Sequence, residues 1–195
     1  MYEFLRVIFG FIFTIFFRWK VSGVDNIPKN GGVLICANHI SLLDPPVIAT
    51  AVPRQLHYMA KEELFRIWGF GRLIRNLNAF PVRRGAADRT AIRTALGLLI
   101  AGEVVGMFPE GTRSKTGILG NPEPGVSLIA ARAGVPIVPA AITGTNQFFC
   151  NGKILPQFSV KFGKPIPIEQ GKIDKEALDA LSKTIMSEIS NLLKE

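Results

Sequence analysis

The segment NHISLLD, residues 38–44, places an imidazole, a hydroxyl and a carboxylate within seven residues, directly after the apolar run VLICA and directly before Pro45 and Pro46. Two readings are open. Asp44 ahead of Pro45 is a good helix N-cap with proline at the first helical position, and Ser41 is an alternative cap with Asp44 as its reciprocal partner. Capping accounts for Ser41 or Asp44, but not for His39 at the polar mouth of a strand. Residues five apart in a regular helix diverge by about 140°, whereas a turn brings them together. The carboxylate then accepts from one imidazole nitrogen and leaves the other to take a proton from a hydroxyl, which is the arrangement of an oriented general base.

A second polar cluster, FPEGTRS at 108–114, leaves another apolar run and puts Glu110, Gly111, Thr112 and Arg113 in one tight loop, followed by Lys115. Gly111 can bring backbone N–H groups near an anion, with Arg113 and Lys115 to pair with it. The alternative is an ordinary β-turn carrying an exposed Glu–Arg pair. The loop lacks the glycine and lysine pattern of a nucleotide P-loop, which argues against ATP hydrolysis.

Elements must position these clusters. The chain has 195 residues, 48% of them hydrophobic, enough for one well-buried domain and short for two. GGVLICA (31–37) reads as a buried strand and DPPVIATAV as the helix after it; LHYMA (56–60), AFPVR (79–83), EVVGMF (103–108), PIVPAAI (136–142) and SVKFG (159–163) read as further strands. Between them lie helical spacings over 61–77, where Gly69 and Gly71 are positioned to bend or break the helix, over 89–101 with Asp88 as its cap, and over 124–134. A last amphipathic helix follows Asp174. This alternation predicts an α/β fold: a single domain with a mixed, largely parallel central sheet flanked by helices, whose function gathers where strands end.

The opening MYEFLRVIFGFIFTIFFRWK holds six of the fourteen Phe. Its uncharged stretch, 7–17, reaches only about 17 Å as a helix against a hydrocarbon core of about 30 Å. Arg6, Gly10, Thr14 and Arg18 recur every fourth residue, leaving a broad apolar surface with a thin polar seam. Shallow insertion in one leaflet is expected, with Trp19 and the cationic ends at headgroup level; a core helix or a dimer contact is the alternative. The expected division is a membrane-associating helix at 1–22 and a catalytic domain at 23–195.

The net charge of +8 is uneven: from Arg54 to Arg93 there are nine Lys or Arg against Glu62, Glu63 and Asp88. Such a field suits anionic headgroups or a phosphorylated substrate. No nucleic-acid partner is expected, since no finger, basic heptad region or single-strand signature accompanies it. Cys36 and Cys150 are too few for a disulfide framework, and with His39 and His57 they do not make a metal motif, so no metal is expected.

At NHISLLD, at FPVR (Phe80 to Arg83), at FPEGTRS and at IVPA (Ile137 to Ala140), occurring in that order, the chain resembles the glycerolipid acyltransferase family, and within it the bacterial 1-acylglycerol-3-phosphate acyltransferases of the PlsC type. The resemblance implies that His39 is the general base and Asp44 its orienting partner. It implies that Arg83, Glu110 and Gly111 position the phosphorylated glycerol, with Thr112 and Arg113 of the same motif in the substrate-binding set, and that the segment around Pro139 shapes the acyl or acceptor pocket. Two departures stand out: Val82 where acidic residues are common with Arg84 doubling the charge, and one N-terminal helix where some relatives build a pair. The implied reaction moves an acyl chain from acyl-CoA or an acyl carrier protein to the 2-hydroxyl of lysophosphatidate, giving phosphatidate at the cytoplasmic face of the cell membrane, without a permanently bound cofactor. Rival readings are an acyltransferase for glycerol 3-phosphate or another lysolipid, an acyl-thioesterase, and a non-catalytic membrane-binding module.

Overall fold

The computed structural model describes residues 1–83, 88–147, 155–168 and 174–194; Arg84 and Cys150 lie outside them. The elements run α1 (Tyr2–Phe17), β1 (Lys20–Ser22), β2 (Val33–Ala37), α2 (Asp44–Ala51), β3 (Leu56–Lys61), α3 (Phe70–Asn76), β4 (Ala79–Val82), α4 (Arg89–Ile100), β5 (Val104–Met107), α5 (Gly125–Ala133), β6 (Ile137–Thr143), β7 (Ser159–Phe162) and α6 (Lys175–Lys194). Among the described residues the strands form one seven-stranded sheet in the order β1-β7-β6-β2-β5-β3-β4. All pairings are parallel except β6 with β7. The expected α/β fold with a mixed, largely parallel sheet is what forms. Strand β1 and the antiparallel return of β7 were not anticipated, since three or four residues carry too little periodicity to announce a strand or its direction.

The direction of travel decides which helix covers which face. From β2 through β3 to β4 the chain moves toward one edge of the sheet; from β4 through β5 to β6 it comes back. Right-handed crossovers put helices on opposite faces for opposite directions of travel. Accordingly Phe13 of α1 and Val47, Ile48 and Ala51 of α2 pack with Ile35, Val138 and Ala140 on one face, and Phe65 and Ile74 pack beside them on Tyr58, Ala60 and Ala79. Ala95 and Leu99 of α4, Ile129 of α5 and Ile185 and Ile189 of α6 pack with Leu34, Cys36, Val105 and Ile137 on the other. The connections leaving the adjacent strands β2 and β5 therefore diverge to opposite faces, opening a crevice at their carboxyl ends.

The 61–77 segment is not one helix. A short 3-10 turn, Glu62–Arg66, precedes α3. Gly69 has φ of 74°, and a Cβ on Gly71 would lie 2.2 Å from the Phe65 carbonyl oxygen. The chain folds back on itself too closely there for a continuous helix. Helix α4 begins as expected, with the Asp88 carboxylate accepting from Thr90 and Ala91 N–H.

Helix α1 divides between two environments. Tyr2 Oη accepts from Leu56 N–H and donates to Ala49 O, and Arg6 donates to Val52 O. Gly10 allows close approach to α2, where an added Cβ would meet Thr50 at 3.6 Å. Phe13 is buried against Trp19 and Phe158, and Phe17 stacks on Phe158 at 4.2 Å. The seam of Arg6 and Gly10 thus faces the protein, while Phe4, Val7, Ile8, Phe11 and Ile15 form an apolar outer face, exposed by 37% to 68%. Among the described residues no helix is long and apolar enough to cross a membrane.

These two faces have separable consequences. Phe13→Ala is expected to destabilise the protein by about 3–5 kcal/mol, as for a buried aromatic, and Phe11→Ala by less than about 0.5 kcal/mol, both read by urea unfolding. Equal effects would mean that α1 does not divide in this way.

Candidate active site

The crevice is lined from β2 by Asn38, His39 and the turn to Asp44. Asn38, buried, continues the strand with its side chain: Nδ2 donates to Ile142 O at 2.9 Å and Oδ1 accepts from Ile142 N–H at 2.7 Å. This amide clamp ends β2 against β6 and sets the position of the next residue. His39 is then held on four sides. Its N–H donates to Glu110 Oε1 at 2.9 Å, its carbonyl accepts from Ser114 N–H at 2.8 Å, its ring stacks on Phe108 with centroids 4.0 Å apart, and Nδ1 lies 2.8 Å from Asp44 Oδ2.

Asp44 has no solvent exposure. Its Oδ2 also accepts from the N–H groups of Ile40 and Ser41, at 2.6 and 2.7 Å, and its Oδ1 from Thr145 Oγ1 at 2.6 Å. A desolvated carboxylate needs such donors. With an acidic acceptor on Nδ1 the neutral ring carries its proton there, leaving the Nε2 lone pair free. Nε2 has no hydrogen-bond partner among the described residues.

The cap reading of Asp44 does not hold, and its carboxylate pairs with His39 instead. Asp44 begins α2, and its carboxylate points back into the turn without capping the helix. The reason lies in Pro45 and Pro46, which have no N–H to be capped, while Val47 N–H reaches Leu43 O. The prolines release the carboxylate for His39.

The loop after β5 completes the site. Glu110 is buried, and both its oxygens are taken by backbone: Oε1 by His39 N–H and Oε2 by Gly120 N–H at 2.9 Å. Gly111 adopts a φ of 66° and its N–H closes a turn on Phe108 O. Thr112, Arg113 and Lys115 are exposed, and neither cation has an ion-pair partner among the described residues. The bond from Ser114 N–H to the His39 carbonyl ties the loop that carries these cations to the His39 turn. Glu110, Thr112, Ser114, Thr116 and Asn121 border a cleft of about 390 Å³.

Two of the named residues stand apart from His39. Arg83 donates through Nε to Glu62 at 2.8 Å and is largely exposed. Hydrogen bonds from Arg83 and Arg66 hold the Glu62 carboxyl below the usual carboxylate range. Pro139 lies in β6 with its ring beside Gly163, next to Leu192 of α6; its neighbours Val138 and Ala140 face the α2 side. Cys36 is buried within β2, and burial pushes its thiol well above the ordinary range, so no thiolate is available there. Among the described residues no group of His, Cys, Asp and Glu could hold a metal ion.

Thr145 is the site residue that the sequence did not disclose. It lies 101 positions from Asp44, and the signal that points to it is Gly144, whose φ is 86° and where a Cβ would sit 2.0 Å from the Gln157 carbonyl oxygen. Only glycine makes that turn, which aims the next side chain inward.

Residues 18–143 match the family model described as Acyltransferase. The chain is 31% identical to the 1-acyl-sn-glycerol-3-phosphate acyltransferase of Bacillus subtilis (strain 168), over 98% of this chain and 96% of that protein. It is 31% identical to the enzyme of the same name from Streptococcus pneumoniae, over 91% of this chain and 69% of that one. Among solved structures, the 1-acyl-sn-glycerophosphate acyltransferase PlsC of Thermotoga maritima matches with a TM-score of 0.78 at 30% identity, covering 99% of this chain and 80% of that chain.

Thr145→Val removes one hydrogen bond to a buried charge, worth about 1.5–3 kcal/mol. The expected result is a kcat lower by about tenfold or more with little change in KM, restored by Thr145→Ser; an unaltered kcat would leave Thr145 without a positioning role. Glu110→Gln places an amide N–H₂ against a backbone N–H, and should lower stability by about 1–3 kcal/mol. A raised KM with unchanged melting would instead assign that carboxylate to substrate.

Proposed function

The chain belongs to the acyltransferase family, and on that premise we propose that it is a 1-acyl-sn-glycerol-3-phosphate acyltransferase, moving an acyl chain from acyl-CoA or an acyl carrier protein to the 2-hydroxyl of lysophosphatidate. The observation that carries this reading is a histidine fixed by a four-donor carboxylate, its Nε2 without a partner among the described residues, on a turn tied through Ser114 to the loop of exposed Arg113 and Lys115. The base needs a hydroxyl, and the cations suit an acceptor that carries a phosphate.

Nε2 of His39 takes the proton from the 2-hydroxyl as that oxygen attacks the thioester carbonyl carbon. Asp44 stays ionised and stabilises the imidazolium. The tetrahedral intermediate expels the thiolate, which takes the proton back from Nε2, leaving phosphatidate and a free thiol. No acyl-enzyme is needed: Cys36 is buried, and Ser41 Oγ accepts from Leu43 N–H within the turn. Thr112, Arg113 and Lys115, whose loop is tied to His39 through Ser114, are the groups placed to receive the phosphate. Arg83, paired with Glu62, would have to exchange that partner to join them. The outer face of α1 lies in one leaflet at the cytoplasmic surface, so that a single-chain acceptor enters from the bilayer. The proposed division keeps 1–22 as the membrane-associating segment and 23–195 as the catalytic domain, with the inner face of α1 also part of the core.

The test is thiol release and lipid product formation in mixed micelles, with palmitoyl-CoA or palmitoyl acyl carrier protein as donor and lysophosphatidate, glycerol 3-phosphate or no acceptor. Phosphatidate should form only with lysophosphatidate, and His39→Ala should lower kcat/KM by about 10³-fold, within the range for a general base. Thiol release at the same rate without acceptor would establish a thioesterase, and product from glycerol 3-phosphate would change the acceptor.

A further inference from the structure

The turn joining β3 to α3 carries a surface that catalysis does not use. Trp68 is 98% exposed, and Ile67, Phe70 and Leu73 beside it are exposed by 53%, 41% and 40%. The tip is built, not frayed: Gly71 N–H reaches Ile67 O at 2.8 Å, Phe70 N–H reaches Trp68 O at 2.9 Å, and Phe65 and Ile74 are buried beneath it. Four large apolar side chains are thus held in water by a hydrogen-bonded frame.

Exposed cations surround them. Arg66, Arg72 and Arg75 all face solvent. Arg75 lies over the Phe65 ring at 5.2 Å, and Arg72 has no ion-pair partner among the described residues. The nearby acids are occupied, Glu62 by Arg66 and Arg83 and Glu63 by Lys61. An exposed indole in a segment with three exposed guanidinium groups matches the boundary between acyl chains and anionic headgroups.

Position supplies the second argument. Side chains of β3 alternate, and Leu56, which packs in the α1–α2 core, shares its face with Tyr58 and Ala60, on which Phe65 and Ile74 rest. The turn and α3 therefore belong to the same layer as α1. Tyr2, Arg6 and Phe9 of α1 border one cleft with Tyr58 and with Leu77 at the end of α3. Two exposed apolar surfaces thus belong to one layer, and this cleft links the end of α3 to α1.

We propose that the Ile67–Leu73 tip is a second membrane-seating point, inserting Trp68 into the leaflet that holds α1 while Arg66, Arg72 and Arg75 bind anionic headgroups. The inference rests on the reading of α1 as lying in a leaflet. One helix fixes depth but leaves rotation about its own axis free; a second point on the same layer fixes that rotation, and with it the direction in which the crevice faces the lipid. An acidic carrier protein would also be drawn to these cations, but it would not require an indole wholly in water on the outer side of the α1 layer.

The experiment measures binding of the full-length protein to sedimented vesicles of phosphatidylcholine alone or with phosphatidylglycerol. Trp68→Ser should weaken binding to the mixed vesicles about tenfold, and Arg72→Gln about fivefold at low salt, with melting and thiol release in detergent micelles unchanged for both. Brominated lipids should quench Trp68 emission in a Trp19→Phe protein. If Phe11→Ser abolishes binding while Trp68→Ser does not alter it, the second point is overturned and the α1 reading stands. If neither variant alters binding, both are overturned. A raised KM for acyl carrier protein with unchanged vesicle binding would make the tip a donor dock and overturn the proposal.

Discussion

A carboxylate with no access to water must be surrounded by donors or it will not stay ionised, and Asp44 is the point from which the rest of this molecule is arranged. Its donors come from His39, Ile40, Ser41 and Thr145. Three of them sit in one short turn, and the fourth arrives from the end of β6, across the sheet. Each has its own upstream cause. The turn is tight because Asn38 ends β2 by pairing with Ile142, Asp44 is available because Pro45 and Pro46 need no cap, and Thr145 points inward because Gly144 alone fits against Gln157. Breaking any one of these leaves a buried charge short of a donor, which costs more than the contact itself contributes.

The legible part of the site was local, and the hidden part was not. NHISLLD holds both members of the dyad within one turn, so its chemistry follows from residue type and spacing; the strand before it is apolar on both faces, as buried parallel strands are. The same seven residues fit a helix cap equally well until the two prolines are asked which N–H groups they leave to be capped. Thr145 and the backbone role of Glu110 were illegible for a different reason. Their partners are 101 and 71 residues away in sequence, and no local pattern encodes a contact made by closing a parallel sheet. The break at Gly69 and Gly71 was visible as two glycines, but the Phe65 carbonyl that enforces it was not.

The fold places the site without any residue there having to specify it. Because the chain reverses its direction of travel at β4, the segments after β2 and β5 leave adjacent strands toward opposite faces. One brings His39 and Asp44, the other brings Phe108, Glu110 and the exposed cations. Glu110 spans the gap by accepting from His39 N–H on one side and Gly120 N–H on the other, and Ser114 closes it by donating to the His39 carbonyl. The FPEGTRS loop is therefore framework at its buried end and open to solvent at its exposed end.

Helix α2 joins the His39–Asp44 pair to α1. Its first residue is Asp44, and over the next eight positions, about 12 Å of helix, it presents Ala49 O to Tyr2, Thr50 to Gly10, and then Val52 O to Arg6. The dyad and the seat of α1 are thus two ends of one rigid element with no hinge between them. If α1 rests at a fixed depth in a leaflet and its rotation about its own axis is also fixed, His39 lies at a fixed height above it, and an acceptor hydroxyl near the headgroup level would meet His39 without leaving the bilayer. The polar seam of α1, which in isolation looks like the wet side of an amphipathic helix, is what makes this possible. It turns toward α2 and leaves the phenylalanines of the opposite face exposed.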